Sequence, residues 1–173
     1  MRHLNLITGT TFGRLTAFVG CAMLLAFGHD EARAGSDCDR IGDRDQRQLC
    51  LALATGNESE CKRINDFSIE KYCLAVVRKN GHECCQTRDS DLENDCRSRT
   101  SSGTEVEWFC RQIKNSDQQQ LCVARARKNT SECRGIRDSN LESYCKAVVG
   151  GSRRDCDTIR DSDMRYRCLG LVP

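Results

Sequence analysis

This 173-residue chain holds a single proline, only 5% aromatic residues and just three histidines. Proline-rich spacers, long blocks of one charge, collagen-like glycine and coiled-coil heptads are all absent, which removes the fibrous and disordered classes. The low aromatic content leaves little material for a large oily core, so another stabiliser must contribute. No nucleophile elbow, H-E-x-x-H helix or glycine-rich phosphate loop appears, and beyond residue 34 only His82 remains. The usual acid–base and nucleophile sets cannot be assembled from this inventory, so the chain reads as a non-enzyme. What the sequence does have is cysteine, 14 in all.

The first 34 residues read as a secretory leader: Arg2, His3 and Arg14 precede an apolar run from Leu15 to Phe27, and Ala32-Arg33-Ala34 places small residues where a signal peptidase looks. Thr16, Gly20 and Cys21 interrupt the run, which is shorter than the roughly 20 residues of a bilayer span. Val19-Gly20-Cys21 resembles the end of a lipoprotein motif, but the apolar residues continue past it. Cleavage after Ala34 leaves one domain, 35–173, with 13 cysteines, 24 basic and 23 acidic residues. That interspersed, near-neutral balance argues against nucleic acid or an anionic membrane as partner. The cysteine density then implies disulfides in an oxidising space, periplasmic or secreted.

With Cys85 set aside, the twelve cysteines from Cys38 to Cys168 are spaced 12, 11, 12, 11, 12, 14, 12, 11, 12, 11, 12, which is a 23-residue repeat present six times. Five repeats carry isoleucine three residues after the first cysteine (Ile41, Ile64, Ile113, Ile136, Ile159), with Thr87 the exception. Five carry aspartate two residues later (Asp43, Asp66, Asp89, Asp138, Asp161), with Asn115 the exception. Around the second cysteine, Ile69, Tyr72, Cys73 and Val76, and likewise Leu141, Tyr144, Cys145 and Val148, make one helical stripe. Ala52, Ala75, Ala124 and Ala147 put a small residue where helices would press together. Ser90 with Glu93, Ser116 with Gln119 and Ser139 with Glu142 have capping-box spacing, and Asn80-Gly81 and Gly150-Gly151 mark helix ends. The fold class that follows is all-α, a short solenoid of six helical hairpins, with halves 38–100 and 110–168 around an irregular insert, 100–109.

Two pairing registers compete, within a repeat or between neighbours. Every within-repeat interval is 12, whereas the interval from Cys96 to Cys110 stretches to 14. A closed loop resists insertion more than an open connection does. Each within-repeat pair would also sit at matched heights, roughly 8 to 10 Å from the hairpin turn at 1.5 Å rise per residue. The expected bridges are Cys38 with Cys50, Cys61 with Cys73, Cys84 with Cys96, Cys110 with Cys122, Cys133 with Cys145, and Cys156 with Cys168. Zinc or haem would want C-x2-C pairs, histidines or C-x-x-C-H, and none is present.

The third repeat breaks the pattern. Cys84 is doubled by Cys85, and Asp95 and Arg99 replace apolar residues on the long helix. Extra residues then bring Trp108, the only tryptophan, and Phe109. In one reading Asp95 and Arg99 pair at i, i+4 while Trp108 and Phe109 plug a gap from a loop. In the other the segment presents an aromatic anchor to a partner. The paired aspartates Asp43/Asp45, Asp89/Asp91 and Asp161/Asp163 fit helix caps better than a calcium ladder.

The leading functional expectation is an exported protein-binding module of inhibitor, immunity or adaptor type, with Trp108, Phe109, Asp95 and Arg99 as candidate binding residues, and without cofactor or metal. A different class is thiol redox or metal sequestration through an unpaired Cys85, three residues from His82. A third is a purely structural or stress role. Homodimers could form through Cys85 or through the apolar tip at Leu169, Leu171 and Val172.

Overall fold

A computed structural model describes residues 35–173; the leader expected over 1–34 lies outside the described residues. Six long helices carry the architecture: α1 (Arg44–Thr55), α2 (Phe67–Arg78), α3 (Ser90–Thr100), α4 (Ser116–Arg127), α5 (Ser139–Gly150) and α6 (Ser162–Leu171). Shorter helical turns precede them over 35–38, Glu58–Cys61, Gly81–Gln86, Glu105–Gln112, Thr130–Gly135 and Arg153–Cys156. No strand occurs among the described residues. The protein is therefore an all-α repeat of disulfide-stapled hairpins.

Each long helix is capped by the residue two after the repeat isoleucine, or after Thr87 in the third repeat, and begins at the next one. The side chains of Asp43, Asp66, Asp89, Asn115, Asp138 and Asp161 all accept a hydrogen bond from a backbone N–H in the first helical turn. These short acceptors satisfy donors that a helix start leaves open. The serines expected to cap stand one residue too late: Ser90, Ser116 and Ser139 are the first helical residues. Glu93 and Glu142 instead pair with Arg97 and Lys146 at i, i+4. Helix α5 ends in left-handed Gly151, as the sequence suggests, but at the end of α2 the left-handed residue is Lys79, and Gly81 opens the following turn.

The six expected bridges all form, with Cα–Cα separations between 5.3 and 5.7 Å. Every bridged cysteine is buried, and Ile41, Ile64, Ile113, Ile136 and Ile159 pack beside them. At Thr87, where isoleucine is missing, the buried hydroxyl donates to the Cys84 carbonyl. Ala52, Ala75, Ala124 and Ala147 are fully buried, and Ser98 and Gly170 keep the same position small in the other two repeats. Each staple closes a short loop, worth about 3 kcal/mol in the chain-entropy account.

The array is closed. Helix α6 packs on α1, as each long helix packs on its neighbour, so the solenoid returns to its start and forms a ring of six hairpins. A single device locks the seams. Asp45 accepts backbone N–H groups of Asn65 and Asp66 at 3.0 and 2.9 Å. Asp91 does the same for Lys114 and Asn115, and Asp117 for Arg137 and Asp138. Ser68 and Asn140 accept from Arg88 and Arg160 at the equivalent place. At the closing seam Asp163 accepts from Gly42 and Asp43, at 3.0 and 3.3 Å, across some 120 residues of chain. Backbone N–H donors hold the carboxyls of Asp45, Asp117 and Asp163 below the usual range.

The closing seam also pairs Arg153 with Asp37 and places Arg40 over the Tyr166 ring, 4.4 Å from its centroid. Cys38, Ile41 and Cys50 of the first repeat pack with Tyr166 and Leu171 of the last. Val172 is buried and Leu169 packs inward. Of the apolar tip, Leu171 thus packs on the first repeat, while Val172 and Leu169 pack within the cluster of the last three repeats.

Candidate functional site: a charged central cavity and an outer aromatic face

Closing six hairpins into a ring leaves a space down the middle, and the repeat register decides what faces it. Four residues before each second cysteine stand Gln46, Ile69, Leu92, Gln118, Leu141 and Met164, and one residue before it stand Leu49, Tyr72, Asp95, Leu121, Tyr144 and Arg167. All twelve line a cavity of about 410 Å³. A turn further on, the siblings carry Leu53, Val76, Val148 and Leu171, whereas α3 and α4 send Arg99 and Arg125 into the cavity. Read in halves, the lining runs Gln/Leu, Ile/Tyr, Leu/Asp and then Gln/Leu, Leu/Tyr, Met/Arg. Asp95 and Arg167 therefore occupy corresponding places, in repeats that stand opposite each other in a ring of six.

Asp95 is the hub of this interior. Its carboxylate accepts from the Tyr72 hydroxyl at 2.7 Å and from Arg99 Nε at 2.9 Å, and it also pairs with Arg125. The Tyr72 ring lies 5.8 Å from the Arg99 guanidinium carbon. Burial, together with the neighbouring Asp95, pushes the Tyr72 phenol well above its ordinary range. Burial works against the charge on Arg99, but Tyr72 and Asp95 outweigh it and the guanidinium stays protonated. Solvent still reaches these groups: the side chains of Asp95, Arg125 and Arg99 are 19%, 20% and 28% exposed. Arg167 bonds Gln46 and lies near Asp163, whose oxygens are taken by the closing seam. Asp89 and Asp91, which also border the cavity, are likewise engaged by backbone N–H groups.

The candidate residues read from the sequence fall into two places. Asp95 and Arg99 do form the expected i, i+4 pair, but inside the ring. Trp108 and Phe109 sit on the outside, and on the helix Glu105–Gln112 rather than in a loop. This helix is the longest of those preceding the long ones, and it fills the seam between α3 and α4. Trp108 is 58% exposed and meets Phe109 edge-on at 5.0 Å. Phe109 lies under Arg97. Beside Trp108, Glu107 accepts from both Arg127 and Arg111 at 2.5 Å, and Arg127 reaches Glu132 at 2.8 Å. Those two arginines, Arg127 foremost, lower the Glu107 carboxyl to about 2.

Arg125, Arg167 and the two cavity tyrosines are the interior residues that sequence reasoning missed as site residues. Their signal was present as the register one residue before and three after the second cysteine, but it acquires meaning only once the ring closes. Cys85 is unpaired and exposed. Its thiol donates to the His82 carbonyl at 3.0 Å, so the contact between these residues is with the main chain of His82. Among the described residues no cluster of three or more His, Cys, Asp or Glu is arranged to hold a metal ion, and no helix is long and apolar enough to cross a membrane. Comparison with known protein families, curated proteins and solved structures finds no match to this chain.

Proposed function

We propose that this chain is a non-enzymatic protein-binding module, periplasmic or secreted, that engages its partner through the outer face centred on Trp108. The disulfide-rich fold itself suggests an oxidising, extracellular compartment. The observation that carries the proposal is the exposure of the only tryptophan on a helix that the chain has gone to some length to fix. Phe109 backs the indole, Cys110 ties the helix to α4, and Glu107 bridges Arg111 and Arg127 beside it. A large aromatic side chain with little freedom and a polar surround is the composition of a binding hot spot. The partner surface that fits is an apolar socket with a polar rim able to meet Glu107, Arg111 and Arg127. An inhibitor, immunity-type protein or adaptor would use such a face.

Affinity capture with the oxidised protein from periplasmic extract or culture medium is the test. A stoichiometric partner retained by the parent and lost by Trp108→Ala supports the proposal. Retention of the partner by that variant rejects Trp108 as the anchor. Capture of no partner favours a structural or stress role instead. The thiol reading rests on the exposure of Cys85 and is separable, because Cys85→Ser would leave partner capture intact under the reading proposed here.

A further inference from the structure

We infer that the central cavity is a binding site for a small organic monocarboxylate, an anion carried on an apolar body. Three observations converge on this ligand class. The cavity, about 410 Å³, falls within the size range of small-molecule pockets, and its groups are in contact with solvent. Two guanidinium groups, Arg99 and Arg125, share the single carboxylate of Asp95, so this three-residue cluster carries a net positive charge at one side of the cavity. Between them these arginines spend only one nitrogen each on Asp95, Nε of Arg99 and an Nη of Arg125, so planar N–H edges remain to receive a second carboxylate. Asp89 and Asp91 balance the lining as a whole against Arg167 and this cluster, but neither pairs directly with Arg99 or Arg125: both oxygens of Asp91 and one of Asp89 accept backbone N–H groups.

The rest of the wall selects the body of the ligand. Leucine, isoleucine and methionine side chains from several repeats, with Tyr72 and Tyr144, surround the space. An inorganic anion would satisfy the guanidinium edges but leave that apolar wall facing water. An apolar alcohol would cover the wall but leave the positive charge unmet. The repeat register gives a further reason to read the arginines as functional. Equivalent places hold Leu53, Val76, Val148 and Leu171, so the fold does not need arginine there. Burying an ion cluster where four siblings use aliphatic residues is weak evidence for stability and fits better with a ligand.

The test is titration of oxidised protein spanning 35–173 with octanoate, n-octanol and sulfate, followed by NMR. Octanoate is expected to give saturable shifts at the Arg99 and Arg125 Nε–H groups and at the Tyr72 and Tyr144 rings. Octanol and sulfate are each expected to bind at least tenfold more weakly. Arg125→Leu, which copies the residue at positions 53 and 171, is expected to lower octanoate affinity at least tenfold, whereas Trp108→Ala leaves it unchanged. Absence of saturable shifts overturns the inference. So does equal binding of octanol, which would make the cavity a greasy void, or equal binding of sulfate, which would make it a general anion trap. The comparison among the three probes on the parent decides the matter even if Arg125→Leu fails to fold.

Discussion

Replacing Asp95 with alanine should destabilise the ring through charge rather than through lost volume. The carboxylate is a direct partner of both Arg99 and Arg125, and it also takes the Tyr72 hydroxyl. Breaking a fully buried ion pair costs about 3–5 kcal/mol; with side chains 19–28% exposed to cavity solvent, about half of that is the reasonable figure. The orphaned phenol adds about 1 kcal/mol. The total, roughly 3 kcal/mol, divided by an unfolding entropy of about 2.1 cal/mol/K per residue over residues 35–173, corresponds to a fall in Tm of roughly 10 °C. Circular dichroism melting of the oxidised protein at pH 7 measures it. The companion variant Asp95→Leu/Arg99→Leu/Arg125→Leu removes all three charges, installing leucine as at Leu49, Leu53 and Leu121. It should recover most of the loss, because an apolar replacement strands no charge. A single variant that melts within roughly 2 °C of the parent, or a triple variant less stable than the single one, would refute the cluster as described.

Other outcomes follow from the same geometry. Replacing both Cys133 and Cys145 with alanine should cost about 3 kcal/mol, read as a lower Tm without loss of helical signal at 20 °C or thereabouts. Alkylation of native protein should modify one thiol per 35–173 chain, at Cys85; two or more modified thiols would mean that a staple is open. Acid should loosen the seams. The folded carboxyls of Asp45, Asp117 and Asp163 titrate below their ordinary range, so the stability they contribute is complete above that range and is lost as pH falls through the folded values. Melting followed from pH 6 downward should show Tm falling below the ordinary carboxylate range, near 3.8, and Asp45→Asn/Asp117→Asn/Asp163→Asn should flatten the slope; an unchanged slope would assign acid sensitivity elsewhere.

The elements that were legible in the sequence are those set by local chemistry at a fixed period. Cysteine spacing gave the pairing, the isoleucine three residues on gave the plug beneath each staple, and the alanine two residues past the second cysteine gave the tight contact. The capping signal was legible in part: Asp43, Asp89 and Asp161 cap as expected, whereas the serines stand one residue late, because aspartate and the following serine are both good caps and periodicity does not choose between them. Closure was not legible. Asp163 and Asp45 look alike in sequence, and only the summed rotation of six hairpins decides whether the last carboxylate finds Gly42 and Asp43 or open water. The cavity was hidden for the same reason. Asp95 and Arg99 read as breaks in an apolar stripe while the stripe was taken to face a packed core. Facing a hollow centre, they join Tyr72 and Arg125 in one hydrogen-bonded cluster.

Closure is also the claim most open to direct measurement. In oxidised, isotope-labelled protein spanning 35–173, nuclear Overhauser contacts should connect the Tyr166 ring to the side chain of Arg40 and to the cluster of Cys38, Ile41 and Cys50, residues more than 100 positions away that the ring brings into contact. Their presence is the predicted result. An assigned spectrum with contacts between neighbouring repeats at every internal seam, but none between Tyr166 and the first repeat, would show an open array and contradict the ring, its sixth lock and the cavity it encloses.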